Sequence, residues 1–241
     1  MPPPTPKQPA APPNPALGYE TLVLAGVGGS VDAIGYFTFA GLFMGFMSGN
    51  STLLGLHLGQ GQWAEAGRFF FPILLFTLGV FCGALLAARR VLPALLLVAL
   101  LWQVGGHFTA ATLTTAYFYP RVALLAGAMG VQAGAFRRVG SQSIHTTFVT
   151  GDLTSLAALG AASLAKPAPP ASPPTAAAPP ADLSAGERKG LLGSVWLIYV
   201  LGAAAGAFTF KLYAREALLL PLLAVVVVIG LSLVRKPAKA G

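Results

Sequence analysis

Residues Phe46-Met47-Ser48-Gly49-Asn50-Ser51-Thr52-Leu53 return 102 positions later as Phe148-Val149-Thr150-Gly151-Asp152-Leu153-Thr154-Ser155. Each copy is a polar, glycine-containing break set inside an apolar stretch. Irregular polar backbone at membrane depth is tolerated only where protein buries it or where it lines a cavity. Paired interruptions of this kind point to the solute or ion site of a membrane transporter.

The break is read against a membrane background because the chain is 55% hydrophobic and only 9% charged, with a mean hydropathy of +0.72. A soluble domain carries about 25% charged residues. Six apolar runs approach the roughly 20 residues that cross a bilayer: Leu17–Leu42, Phe69–Ala88, Val91–Phe108, Arg121–Phe136, Leu191–Phe210 and Ala217–Val234. Residues 1–16 are proline-rich rather than basic and then apolar, so the first run is expected to act as an uncleaved anchor. The net charge of +8 comes from Lys and Arg scattered at the ends of apolar runs, which sets topology rather than building a nucleic-acid face. Cys82, the single cysteine, excludes an intrachain disulfide and is expected to be a small core residue.

The duplication extends beyond the opening motif. Val31-Asp32-Ala33 resembles Val131-Gln132-Ala133, and Leu78-Gly79 with Gly83-Ala84 matches Leu201-Gly202 with Gly206-Ala207. The glycine pairs are small-xxx-small faces, expected to let helices pack closely. Repeat one is placed at 17–115 and repeat two at 116–234, the latter interrupted by a Pro/Ala-rich linker at 167–181. A proline-rich tail (1–16), the linker and a basic tail (235–241) are expected to be disordered.

From Asn50 to Gln60 the broken element holds about 11 residues, or roughly 16 Å of helix, half of the hydrocarbon core. The fold expected is therefore all-α, with six transmembrane helices in two inverted three-span repeats, each with a re-entrant half-helix. That topology puts four of the 15 Lys and Arg (Arg68, Arg121, Lys211, Arg215) on one side and eleven on the other. The rich side, which holds both termini, is assigned to the cytoplasm. Three spans per repeat is an odd number, which inverts the second copy relative to the first.

Ser48-Gly49-Asn50 and Thr150-Gly151-Asp152 fall where each half-helix should begin, with Gly49 and Gly151 breaking the helices and Asn50 and Asp152 suited to N-caps. Free N–H groups and the helix dipole there favour an anion. Asp32 lies inside an apolar run, where a carboxylate is a functional candidate by default. Asp32, Asn50, Gln132 and Asp152 are expected to surround one midplane site, each half keeping one acid and one amide. Asp32 and Asp152 would bind a cation or exchange protons; the plainer alternative is that each hydrogen-bonds nearby backbone. His57, His107 and His145 lack ligand-like spacing, so no metal and no cofactor is expected.

The Val31-Asp32-Ala33, Met47-Ser48-Gly49-Asn50, Met129-Gly130-Val131-Gln132 and Val149-Thr150-Gly151-Asp152 segments together resemble the YoaK-like family of bacterial integral membrane proteins, from Gly18 to Val234. Ser48 stands where relatives tend to carry Thr, and the Pro/Ala insertion before Leu191 is unusually long. The resemblance implies a multi-pass protein of the bacterial cytoplasmic (inner) membrane and no substrate. Function is expected to be a secondary transporter or permease for a small solute, an anion among the candidates, with proton or cation coupling, and not an enzyme. A non-transporting scaffold is the alternative. An intramembrane hydrolase using Ser48 and His145 is remote, since the repeat puts Thr150 where Ser48 sits. The partners expected are the lipid bilayer and a small-molecule or ion substrate, with no nucleic acid and a homo-oligomer left open.

Overall fold

The computed structural model describes residues 15–87, 95, 97–102, 104–105, 118–135, 138–139, 142–143, 149–164, 183–214 and 216–234. Its helices are α1 (Pro15–Thr38), α2 (Met47–Gly59), α3 (Trp63–Ala87), α4 (helical positions at 95, 97–102 and 104–105), α5 (Phe118–Ala135), α6 (Val149–Leu164), α7 (Ala185–Tyr213) and α8 (Leu219–Val234). Each expected run contains one long helix or helical stretch, and α2 and α6 occupy the two breaks. Pro15 and Ala16, assigned above to the tail, belong to α1; proline suits a first helical turn because its missing N–H has no partner there. The linker 167–181, the basic tail, His107 and His145 lie outside the described residues.

One departure from an all-helical chain is a pair of two-residue strands, β1 (Arg138–Val139) and β2 (Gln142–Ser143). They pair antiparallel, Arg138 opposite Ser143 and Val139 opposite Gln142. Backbone that would otherwise go unsatisfied ahead of the second break is paired there.

Among the described residues, three helices are long and apolar enough to cross a membrane: Tyr19–Thr38 of α1, α3 and α7. Their surfaces invert the soluble pattern. Phe70, Leu74, Leu78, Phe81 and Leu85 are exposed along α3, at the three- and four-residue spacing of one helix face. An apolar stripe of that length turned outward belongs in lipid. Of the three helices, α1 is the most enclosed, with 61% of its apolar window buried against 22% for α3 and 17% for α7. It is the central helix. Cys82 is exposed on α3, contrary to the core position expected, because the inward side of that helix is given to Gly79 and Gly83.

Glycine brings backbones together in two places, α7 on α1 and α3 on α5. A methyl on Gly202 would lie 2.0 Å from the Gly26 carbonyl oxygen, and one on Gly79 would lie 2.2 Å from that of Gly127. A methyl on Gly206 would lie 2.5 Å from the Ser30 carbonyl oxygen and one on Gly83 2.3 Å from that of Val131; one on Gly29 would lie 2.0 Å from that of Tyr199 and one on Gly130 2.1 Å from that of Phe76. All three pairs are related by the same steps, 101 residues from α1 to α5 and 123 from α3 to α7. The two interfaces therefore share one register. Around them, α2 packs on α3, α6 on α7 and α8 on α1, while the Gln132 Nε2 donates to the Leu24 carbonyl at 3.0 Å and ties α5 to α1.

The shared register corrects the alignment made from sequence. Gly26 corresponds to Gly127, which sets Val31, not Asp32, opposite Gln132. One residue on a helix is about 100° of rotation. Asp32 and Gln132 consequently point in different directions.

Candidate functional site

The first break is the loop 39–46, not the glycine of the motif. Helix α1 stops at Thr38, whose hydroxyl donates back to the Ile34 carbonyl at 2.7 Å. Ala40 and Gly41 follow with φ of 51° and 90°, left-handed values that only glycine adopts without strain. The Gly41 N–H closes on the Tyr36 carbonyl at 2.9 Å, a closure of the kind that ends helices at a left-handed residue. The chain then runs through 42–46 and re-enters helix at Met47.

Gly49 lies inside α2 rather than breaking it, and Gly151 lies inside α6. The need for glycine at 49 is steric: a methyl there would sit 2.5 Å from the Phe46 ring and 3.1 Å from that of Phe43. Asn50 is likewise not the N-cap. The capping position falls on Phe46, with no side-chain cap hydrogen bond. Asn50 instead reaches back from the first turn to grip Phe43, accepting from its N–H at 3.0 Å and donating to its carbonyl at 2.7 Å. At 13 and 16 residues, α2 and α6 are roughly 20 and 24 Å long, longer than the half-crossing expected and still short of the roughly 30 Å hydrocarbon core.

Asp32 organises the loop. Its Oδ1 accepts from the backbone N–H groups of Met44 (2.8 Å), Gly45 (2.6 Å) and Phe46 (3.2 Å), and its Oδ2 accepts from the Tyr199 hydroxyl at 2.7 Å. Successive N–H groups converging on one oxygen make an anion nest. The anion expected at the start of α2 is thus the protein's own carboxylate.

Beside Asp32 opens a cavity of about 560 Å³, lined by Gly29, Ala33, Tyr36 and Phe37 of α1, Phe43 and Phe46 of the loop, Val149 of α6, and Tyr199, Ala203 and Ala207 of α7. Tyr36 and Phe43 stand 5.4 Å apart between ring centroids, and Phe43 meets Phe46 edge to face at 5.2 Å. Both halves of the chain contribute walls. The starts of α2 and α6 border the same space through Phe46 and Val149.

Of the eight residues expected to bind, Asp32 alone lines this cavity. Asn50 and Gln132 are fully buried, with Asn50 committed to the Phe43 backbone and Gln132 to Leu24. Asp152 is buried in the first turn of α6. Ser48 and Thr150 are exposed, and their carbonyls accept from the Thr52 and Thr154 hydroxyls, four residues on in each copy. The four-residue ring around one site is therefore not what surrounds the cavity, because two of its members spend their amides on backbone. Sequence reasoning missed Tyr199 and the Tyr36–Phe43–Phe46 cluster. One signal was available: Phe76 stands 123 residues before Tyr199, so a hydroxyl is added in one copy only. His57 pairs its Nδ1 with the Gln62 Oε1 at 2.5 Å and stacks on Phe69.

Among the described residues no Lys, Arg or His lines the cavity, and the N–H groups of Met44, Gly45 and Phe46 are taken by Asp32. Among the described residues no group of three or more His, Cys, Asp and Glu is placed to hold a metal ion.

Residues 21–231 match the family described as "Protein of unknown function (DUF1275)". The chain is 30% identical over 138 residues to the "UPF0700 transmembrane protein YoaK" of Bacillus subtilis (strain 168). That match covers 53% of this chain and 60% of the relative, so the chain spans less than two thirds of the relative's length. No solved structure matches. With helices fit to cross a bilayer and a match over most of its length, this chain belongs to the DUF1275 family.

Proposed function

We propose that the protein is a transporter or permease for a small solute, and that the cavity beside Asp32 is where the solute sits. The observation that carries this reading is that α1 and its loop from one half, and α6 and α7 from the other, wall a single cavity with a buried carboxylate on its edge. Solute sites built between two halves at interrupted helices are a transporter architecture. An inverted pair of three-span repeats is supported by the common register of the α1–α7 and α3–α5 contacts. Six spans with both termini cytoplasmic in a bacterial inner membrane remain part of the proposal, as does the absence of catalysis. Asp32 serves as the charge-bearing residue of the site. Asn50, Gly49 and, in the second copy, Gly151 and Asp152 shape the entry to the half-helices. Gln132 holds α5 to α1.

The test is tracer flux into proteoliposomes holding the full chain, run with panels of amines, carboxylates and inorganic cations. Flux of one class that disappears when Ala207→Trp fills the cavity is the expected result. A folded protein that carries none of the three, with cysteines placed at Ser48 and Thr150 inaccessible from water in a Cys82→Ala background, would leave the scaffold reading in its place.

A further inference from the structure

The geometry points to a solute class that no comparison names: a protonated amine on an apolar body. The inference rests on the cavity being the solute site and adds what that site selects.

Charge comes first. Asp32 is 3% exposed, yet its hydrogen-bond partners are three backbone N–H groups and a phenol, all neutral. Hydrogen bonds donated to a carboxylate favour its charged form against the burial that opposes it. They leave its net charge in place, and buried charges are ordinarily paired. Among the described residues no cationic side chain completes the pair. Its Oδ2 holds one donor, Tyr199, and retains acceptor capacity toward the cavity that Asp32 lines. The counter-charge is supplied by the occupant.

Size and surface then decide which cation. A bare metal ion takes a shell of oxygen ligands, six to eight for calcium, and the polar side chains on this wall offer a carboxylate oxygen and two phenols. About 560 Å³ lies within the range of cavities that hold organic ligands, roughly 300–1,000 Å³. The remaining wall is aromatic and aliphatic. Tyr36 and Phe37 are 47% and 54% exposed, so these rings are not core filling. Aromatic faces attract an ammonium group as well as an apolar body, and among the described residues Asp32 is the one charged residue type that lines the cavity. An ammonium beside Asp32, with its hydrocarbon among Tyr36, Phe43 and Phe46, satisfies every wall at once.

Binding of 4-phenylbutylamine, 4-phenylbutanol and 4-phenylbutyrate to the full chain in phosphatidylcholine nanodiscs, with empty discs subtracted, tests this directly. The three probes share one body and differ in charge. The amine should bind about tenfold more tightly than the alcohol, with no butyrate binding. Asp32→Asn should erase the preference for the amine, so that amine and alcohol bind alike. Because Asp32→Asn also loosens the loop, Tyr36→Leu provides a second arm, expected to weaken the amine several-fold. Equal affinity for amine and alcohol, preference for butyrate, or no binding of any probe overturns the inference. Amine binding without amine flux in proteoliposomes would retain the amine site and remove the transport reading. Flux of another class without amine binding would do the reverse.

Discussion

The Tyr199 hydroxyl donates to the Asp32 carboxylate at 2.7 Å across 167 residues of chain. This bond joins the two helices that approach most closely through glycine, and it does so where α1 gives way to the loop. Helix packing and the shape of the loop are thus coupled at one side chain. Three further donors on the other carboxylate oxygen make Asp32 the point on which residues 44–46 turn.

Removing that acceptor should loosen the protein. Asp32→Ala leaves three backbone N–H groups without a partner, a loss of about 3 kcal/mol or more at roughly 1–3 kcal/mol for each unsatisfied buried donor. Asp32→Asn keeps a carbonyl oxygen and should lose about half as much. Thermal unfolding in detergent measures both. An Ala variant as stable as the parent would show that the loop does not depend on this carboxylate.

The glycine contacts make a paired expectation. Gly79→Ala and Gly202→Ala each push a methyl to within 2.2 Å of a carbonyl oxygen, and rigid backbone cannot yield as a flexible side chain can. Each should lower stability by about 1–3 kcal/mol or more. The two losses should be similar because the interfaces share a register. Gly55→Ala, with nothing within 4 Å, should be neutral or stabilising by up to about 1 kcal/mol. The same unfolding assay ranks all three, and a Gly55 variant that is the worst of them would contradict the packing described.

Gly49→Ala acts through a side chain instead. Its methyl would displace the Phe46 ring, which lines the cavity. Stability should change by less than about 1.5 kcal/mol, since a ring can turn where backbone cannot. Affinity for 4-phenylbutylamine should fall several-fold. Unchanged affinity with the variant folded would place Phe46 outside the binding surface.

Cys82 reports on the outward face of α3. In a bilayer it should resist a charged, water-borne thiol reagent and react with a membrane-permeant maleimide. In detergent both reagents should label it. Rapid labelling by the charged reagent in intact vesicles would mean that this face of α3 meets water rather than lipid.

Much of this architecture is legible in the residues. The two interrupted motifs, the apolar runs and the paired glycines are local or periodic signals, and the structure places helices at each of them. Gly79, Gly83, Gly202 and Gly206 pack helices as their spacing implies. The site was less legible. Asp32 stands out because a carboxylate in an apolar run is conspicuous whatever its neighbours are. Asn50 and Gln132 stand out equally, yet both are bound to backbone, since the demand of a nearby N–H or carbonyl leaves no mark on the sequence.

The hydropathy pattern establishes that the chain is helical and suited to lipid, because such patterns depend only on residue order along one helix. Which faces meet depends on rotation between helices. A slip of one residue, about 100°, separates Asp32 from Gln132 and brings Asp32 to Tyr199. That choice is made by the glycine contacts of α1 with α7, which are summed over the packed interface and cannot be read from either segment alone.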